Sequence, residues 1–564
     1  MPNILSVDLT TGAVSVSAVS GDLAGLGGRG LTSALVAAQV DPKTDPLGPD
    51  NLLVFAGGIL AGTTFPNGGR LSVGAKSPLT GGIKEANAGG EAARKLAHLD
   101  LRAIALSGVA AELSLIEIDV AGARVKAAPQ LAGLGSYETV EKLRATYGDD
   151  PTFVCCGPAG ERQLKAAAVI TTTPDFHLRT ASRGGLGAVM GSKKIKAIVI
   201  NAKGATRPRA ADAGKMKAAA TAFSAGLRAD GFIGGLGTLG TALLVNVANS
   251  IGCMPTKGFS AGAFDQAAAI SGERLAEIQA GRPNSQMSHR CMTGCVVSCS
   301  QIYTDEQGKT VTSGFEYESL VLLGSNCRIS DLDQLAKLDR LCDDLGVDTI
   351  ELGAALGVAM EGGMLAWGDG PGAYDLLEGI RRGNDQSLLI GNGCVAVGEA
   401  LGVARIPAVK GQGIPAWEPR VLKATGATYA TSPQGADHTC GNVLPSADYD
   451  ASAAGGQAAV SRSAQYWLAA VDTMGLCLMP AFVAGPEMQG HLRAACAAVL
   501  GEELPDDYLT DLGVRVISIE RDFNRRVGFT PADDRLPAFM TTEPLPPTGH
   551  VFDVSDADLD GLFA

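Results

Sequence analysis

The chain has 564 residues, 46% of them hydrophobic and 19% charged, with 46 Lys+Arg against 59 Asp+Glu and a net charge of -13. That length predicts roughly three to four domain-sized units, and the acidic balance argues against a nucleic-acid binder, which carries a basic face. No segment reads as a run of the 18 or so apolar residues that spans a membrane, and the start MPNILSVDLTTGAV lacks a signal peptide's basic and apolar regions, so a cytoplasmic protein is expected.

The opening residues alternate, with Ile4, Ser6 and Asp8 on one side and Leu5, Val7 and Leu9 on the other, as in a half-buried strand. Further β-like runs follow: LLVFAG at 52–57, AIALSG at 103–108, LSLIEIDV at 113–120, TFVCCG at 152–157 and KAIVI at 196–200. Residues 1–205 are therefore expected to form a β-rich domain. Glycine totals 74, close to double the usual share of about 7%. It clusters beside polar residues in GGR, GGIKEANAGG and SRGGLG, where backbone N–H groups can approach a ligand closely. AKGATRPRAAD (202–212) reads as a linker, and helical periodicity dominates after it. In DLDQLAKLDRLCDDLG (331–346), Leu335, Leu338, Leu341/Cys342 and Leu345 line one helical face, with Gly346 placed to cap the end. This helix belongs to an expected helical domain at 206–410. A second, at 411–564, contains QYWLAAVDTMGLC and HLRAACAAVLG and ends in the Pro-rich strap TTEPLPPTGH (541–550). No tandem repeat of solenoid type is seen.

Two segments echo each other. DDLGVD (343–348) and DTMGLC (472–477) share the pattern Asp-x-x-Gly-apolar-(Asp/Cys), each at a helix end. Glycine caps alone are common there. The sharper reading is a pair of equivalent clamps for two copies of one polar ligand.

Twelve cysteines without a secretory signal read as metal ligands or redox groups. RCMTGCVVSCS (290–300) spaces Cys291, Cys295 and Cys299 by four. That spacing would also suit small residues on one helix face, but Gly294 and the flanking SHR and SQI disfavour a regular helix. A zinc ribbon would need a second knuckle, which is missing. A triplet plus one remote cysteine is the ferredoxin-like arrangement around a [4Fe-4S] cube. The fourth thiol is open among Cys155, Cys156, Cys253, Cys327, Cys342, Cys394, Cys440, Cys477 and Cys496; Cys477 alone ends one of the two clamp segments.

An ordered set of motifs carries a family resemblance: GGRG (27–30), GGRLSVGAKSPLTGG (68–82), EANAGG (85–90), RGGLGAVMGSKKIKAI (183–198), the cysteine triplet, FEYES (315–319), DDLGVD, GADH (435–438) and DTMGLC. Over essentially its whole length the chain resembles the tungsten- or molybdenum-containing aldehyde:ferredoxin oxidoreductases. The resemblance implies an α+β fold, with an N-terminal β-rich base under a bis-pyranopterin (molybdopterin) centre and two mainly α-helical domains closing over it. It assigns Asp343 and Asp348 to one pterin, and Asp472, Leu476 and Cys477 to the other, with Cys477 also the fourth ligand of the [4Fe-4S] cluster. Arg70 and Arg183 would contact pterin phosphate or ring groups. Asn87 and the Gly184 carbonyl would bind a Mg2+ between the pterin phosphates, in keeping with that ion's preference for oxygen. Glu318 would be the general base, His438 the orienting group or acid, and Tyr317 a hydrogen-bond donor to substrate. Outside the family context Glu318 would be an ordinary helix-start glutamate and His438 a structural partner of Asp437.

The chain departs from the pattern in two places. Its triplet is C-x3-C-x3-C where the family has C-x2-C-x3-C, and no Glu-x-x-His motif is present for a subunit-bridging iron. A homodimer would therefore lack that iron. Cys327 and Cys440 stand near the expected pocket, although small buried cysteines are common. The function implied is interconversion of aldehydes and carboxylic acids, with electrons passing through the cluster to ferredoxin or a small iron–sulfur subunit. A family member acting on 2-hydroxycarboxylates or as a dearomatising acyl-CoA reductase is the alternative. A non-catalytic iron–sulfur structural or sensor protein is the alternative from another class, and it would need neither the paired clamps nor Glu318 and His438.

Overall fold

In the computed structural model, which describes residues 2–445 and 450–563, the N-terminal part of the chain forms two six-stranded sheets. The first contains β1 (Asn3–Asp8), β2 (Ala13–Ala18), β3 (Leu53–Gly57), β4 (Leu71–Lys76), β5 (Ile83–Ala88) and β6 (Leu101–Ser107), in the order β2-β1-β6-β3-β4-β5. The second contains β7 (Ser114–Asp119), β8 (Gly122–Ala127), β9 (Thr152–Cys156), β10 (Val169–Thr172), β11 (Leu178–Ala181) and β12 (Ile195–Ile200), in the order β8-β7-β12-β9-β10-β11. The two orders are the same. In each sheet the first strand pairs antiparallel with the second and parallel with the last, and the remaining pairs are antiparallel. The N-terminal domain is a structural duplication, and LAGLG recurs at 23–27 and 131–135, just before the helices Gly28–Gln39 and Ser136–Tyr147.

The alternation expected of the first strand holds in part: Leu5, Val7 and Leu9 are buried between the sheets, and Ile4 on the opposite face is buried as well, in a second cluster. They pack with Phe55, Val73 and Ile104 of their own sheet and Ile116, Ile118, Val154 and Ile198 of the other. Burial of each such side chain is worth about 1.5–3 kcal/mol. Strands β4 and β5 fall where the glycine-rich motifs lie. Both are almost wholly buried yet carry Ser72, Gly74, Lys84, Glu85 and Asn87, so neither shows apolar alternation.

The rest of the chain is mainly helical, which gives the α+β architecture expected. The helix Leu332–Leu345 is capped by Asp331, whose carboxylate accepts from Gln334 N at 2.8 Å, and it stops at Gly346 with φ +69°. The helix Gln457–Met474 packs along Tyr508–Val527 and stops at Gly475 with φ +72°. A three-stranded sheet of β13 (Gln286–His289), β14 (Ser300–Thr304) and β15 (Thr310–Ser313) leaves the cysteine triplet as the β13–β14 connection.

One segment corrects the sequence reading. Gly231–Ser250 is long and apolar enough, at a mean hydropathy of 1.5, to pass a membrane-span test. It is broken at Gly240, whose φ of +65° ends the helix Gly231–Leu239, and the helix Leu244–Ser250 follows after a tight turn. At about 1.5 Å rise per residue, neither piece approaches the roughly 30 Å of a bilayer core.

Candidate active site

Each Asp-x-x-Gly turn sits on its own sheet. The 472–477 turn lies on the first: Ile59 N donates to Thr473 O at 3.2 Å, Leu60 N to Met474 O at 3.0 Å and Arg70 N to Gly475 O at 3.1 Å. The 343–348 turn lies on the second: Ala168 N donates to Gly346 O at 2.8 Å and Asp348 N to Ala166 O at 2.9 Å. Glycines permit the contact. A Cβ on Gly58 would stand 2.1 Å from Gly475 N, and one on Gly157 would stand 2.2 Å from Leu345 O. The residue after each leading aspartate serves a helix start of the same sheet. Thr473 Oγ1 accepts from Gly30 N at 3.1 Å, and Asp344 Oδ1 accepts from Tyr137 N at 3.0 Å.

Both turns open on one cavity of about 280 Å³. Asp343, Asp348 and Asp472 line it, together with Arg70, Asn87, Arg179, Arg183, Glu318 and His438. Burial pushes Asp343 and Asp472 well above the ordinary carboxylate range, and Asp348 up to about 6 against the opposing pull of Arg183. Such carboxylates suit a polar ring system presenting N–H groups, which would compensate the lost water. A buried arginine braces each side. Arg183 Nη1 lies 3.2 Å from Asp348 Oδ2, and Arg29 Nη1 lies 3.5 Å from Asp472 Oδ2.

The cysteine triplet forms a loop of turns and bends rather than a helix, with Gly294 and Ser298 at positive φ. Cys291, Cys299 and Cys477 line the same cavity, and a hydrogen bond from Cys295 pulls the Cys291 thiol down to about 6, helped by Arg179 and Arg70. Every cysteine among the described residues is a free thiol. Asn67 joins the loop to the 472–477 turn. Its carbonyl accepts from Cys477 N at 2.9 Å, its Oδ1 accepts from Val296 N at 3.1 Å, and its Nδ2 donates to Cys295 Sγ at 3.4 Å. Four thiols gathered beside one cavity, without disulfides, are a donor set that fits an iron–sulfur cube.

Glu318 follows FEY at the start of a helical turn that passes into a π-helical segment, Leu320–Gly324. Its Oε2 accepts from Ala416 N at 2.7 Å, while its Oε1 has no partner among the described residues. Burial pushes its pKa up to about 8. Tyr317 donates its hydroxyl to Ala416 O at 2.7 Å and packs on Trp417 at 4.8 Å between ring centroids, so it grips the residue that holds Glu318. Burial lowers His438 to about 4, and its Nδ1, 3.6 Å from Asp437 Oδ1, is also unpartnered. Although burial works the other way, Lys84 and Arg183 hold Asp437 well below the usual carboxylate range. The cavity thus pairs a carboxyl of raised affinity for protons with a neutral imidazole.

Other residues named from the sequence are placed differently. Leu476 is buried in the core, its N–H donating to Val471 O at 3.1 Å. Asn87 lines the cavity, with its Oδ1 on Arg70 Nε and its Nδ2 donating to Asp472 Oδ1 at 3.1 Å. The Gly184 carbonyl accepts from Ser77 Oγ at 2.6 Å. Both oxygens expected to meet a cation therefore already have protein donors. Cys327 is packed against Leu322 O and Gly353 O, and Cys440 is likewise buried; neither is among the residues lining the cavity. Sequence reasoning passed over Asn67, Arg29 and Lys84, and named Asp437 only as a structural neighbour of His438. For two of them a signal was available, since Arg29 and Lys84 lie in glycine-bordered motifs.

Residues 4–202 match the model of the aldehyde ferredoxin oxidoreductase N-terminal domain, and residues 219–561 match that of its domains 2 and 3. The chain is 33% identical to the tungsten-containing aldehyde ferredoxin oxidoreductase of Pyrococcus furiosus, covering 96% of this chain and 91% of that protein. It is 34% identical to the protein of the same description from Thermococcus kodakarensis, covering 97% and 93%. Among solved structures it resembles the active site complex BamBC of benzoyl coenzyme A reductase in complex with 1,5-dienoyl-CoA, with a TM-score of 0.81, 19% identity, and coverage of 100% of this chain and 93% of that one.

Proposed function

The chain belongs to the aldehyde ferredoxin oxidoreductase family, and from that premise we propose that it is an enzyme interconverting aldehydes and carboxylic acids at a tungsten or molybdenum bis-pyranopterin centre. The observation that carries the reading is the single cavity shared by both aspartate turns, three of the four gathered thiols and the unpartnered Glu318 Oε1. Asp343 and Asp348 on one side, and Asp472 on the other, would hold the two pterins, with Arg70 and Arg183 nearby for phosphate or ring contacts. Cys291, Cys295, Cys299 and Cys477 would hold a [4Fe-4S] cluster. Asn87 and Gly184 would approach a Mg2+ only after releasing their present donors. When bound, the pterin metal supplies two-electron redox chemistry and the cluster carries single electrons to ferredoxin or an iron–sulfur partner subunit.

Oxidation of an aldehyde to an acid takes its second oxygen from water and releases two protons with the two electrons. Glu318, ionised, accepts a proton from the attacking water through its free Oε1, while Ala416 N fixes its other oxygen. His438 is neutral and presents an imidazole to orient the substrate oxygen or to exchange a proton with it. Asp437 Oδ1 stands 3.6 Å from the ring's Nδ1 without a hydrogen bond, and Asp437 is itself pinned by Lys84. Tyr317 acts through residue 416, since its hydroxyl is committed to that carbonyl.

The test is anaerobic purification with metal analysis, followed by aldehydes, acids and acyl-CoA thioesters offered with a viologen dye. Tungsten or molybdenum, pterin phosphorus, about four irons per chain and aldehyde-dependent dye reduction are expected. Absence of both heavy metals, or turnover restricted to 2-hydroxycarboxylates or acyl-CoA thioesters, would overturn the aldehyde reading. Co-purification under anoxic conditions distinguishes a dedicated partner subunit from free ferredoxin.

A further inference from the structure

His177 and His289 were assigned no role from the sequence, and neither lines the cavity. The structure brings them together with Asp175. One ligand atom from each of the three lies within 4.8 Å of the others. Asp175 Oδ2 stands 2.7 Å from His289 Nε2 and 3.6 Å from His177 Nε2. The two imidazole rings meet edge-on, at 83° and 5.1 Å between centroids. A hydrogen-bonded Asp175–His289 pair would account for the first distance. It gives no reason for a second ring nitrogen to face the same oxygen beyond hydrogen-bonding length.

We propose that Asp175, His177 and His289 form a binding site for a first-row divalent cation of the zinc class, which staples the β10–β11 turn to the strand entering the cysteine loop. Two imidazoles and a carboxylate are a standard donor set for Zn2+, with water completing the tetrahedron. Zinc bond lengths of about 2.0–2.1 Å place tetrahedral ligands roughly 3.3 Å apart, and the two measured separations bracket that value. Outer support is present for the two donors of the turn. Thr173 Oγ1 donates to Asp175 Oδ1 at 2.6 Å and accepts from His177 N at 2.9 Å, while Thr173 N donates to His177 O at 2.9 Å. One residue therefore sets both the carboxylate and the histidine of the turn, as ligand-orienting neighbours do in metal sites. The third donor, His289, is buried and ends β13 two residues before Cys291. Asp175 and His177 keep side-chain exposures of 51% and 22%, which leaves a route for the ion.

The inference stands apart from the catalytic reading, and its test reads zinc rather than turnover. The anaerobically purified, cluster-loaded protein is dialysed against EDTA and titrated with ZnCl2 in a calorimeter. One saturable equivalent is expected. Asp175→Asn and His177→Ala, both on the surface turn, should lose it while cluster absorbance and circular dichroism stay unchanged. Thr173→Val should weaken it by about 10–100-fold. No saturable zinc uptake by the wild-type protein, or uptake unaltered in both ligand variants, overturns the proposal.

Discussion

Glu318 and His438 owe their protonation states to the same cause acting with opposite sign. Burial disfavours charge, so it raises the carboxyl to about 8 and lowers the imidazole to about 4. The base form of Glu318 then grows as pH rises, and kcat/KM is expected to climb through about pH 8 and level off above it. Glu318→Gln should leave tungsten or molybdenum content intact, cut turnover by about 10² or more, and abolish that limb of the pH profile. Asn67→Ala removes the amide that holds both Val296 N and Cys295 Sγ. Val296 N then loses its partner and Cys295 Sγ keeps only Ser298 N, a loss of about 1–3 kcal/mol. A lower thermal midpoint and faster bleaching of the visible absorbance in air are expected, and Cys295→Ala should abolish that absorbance altogether. The sequence disclosed Glu318 and the thiols because their motifs are ordered along the chain. Asn67 was not legible, because an Asn-Gly-Gly turn looks the same whether or not its side chain is caught between two distant segments.

At the scale of elements, what the sequence revealed tracks periodicity. Helix Leu332–Leu345 and strands β1, β3, β6, β7, β9 and β12 were visible because apolar residues repeat at helical or strand spacing. Strands β5 and β11 were not, since they line the cavity with polar or small residues such as Asn87, Arg179 and Thr180, and β4 and β10 beside them are short or interrupted by Ser, Gly and Thr. The seats of the two turns depend on a missing Cβ. Gly157→Ala would drive a methyl into Leu345 O, and Gly58→Ala would drive one into Gly475 N. Each is expected to lower stability by about 1–3 kcal/mol, seen in thermal denaturation. Each should also reduce pterin phosphorus per chain, because its turn is lifted off its sheet. Phosphorus content unchanged from the wild-type protein in both variants would dissociate the sheets from cofactor holding.

Across the whole molecule, one buried network ties the N-terminal base to the last long helix. Arg29 Nη2 donates to Glu520 Oε2 at 2.8 Å, and Glu520 Oε1 also accepts from Ser33 Oγ and Gln434 Nε2 at 2.8 Å each. Breaking such a pair strands a charge, so Glu520→Gln should cost about 3–5 kcal/mol, measured as a shift of the urea midpoint. Contacts spanning nearly 500 positions cannot be read from local pattern, and the duplication of the sheets went unseen for a related reason: the two copies share topology while their sequence matches are short, such as LAGLG and Ala-x-x-Gly-Gly-x-x-Ala at 86–93 and 181–188. That duplication has a further consequence. The two seats match strand for strand, yet the residue ending one turn is Asp348 and the residue ending the other is Cys477. Cys477 offers a thiol and is joined through Asn67 to the cysteine loop, whereas Asp348 is paired with Arg183. On the function proposed here, the near-mirror base would be wired on one side only, with one turn joined to the cluster loop, its twin left off the circuit, and a single lane between metal and cluster.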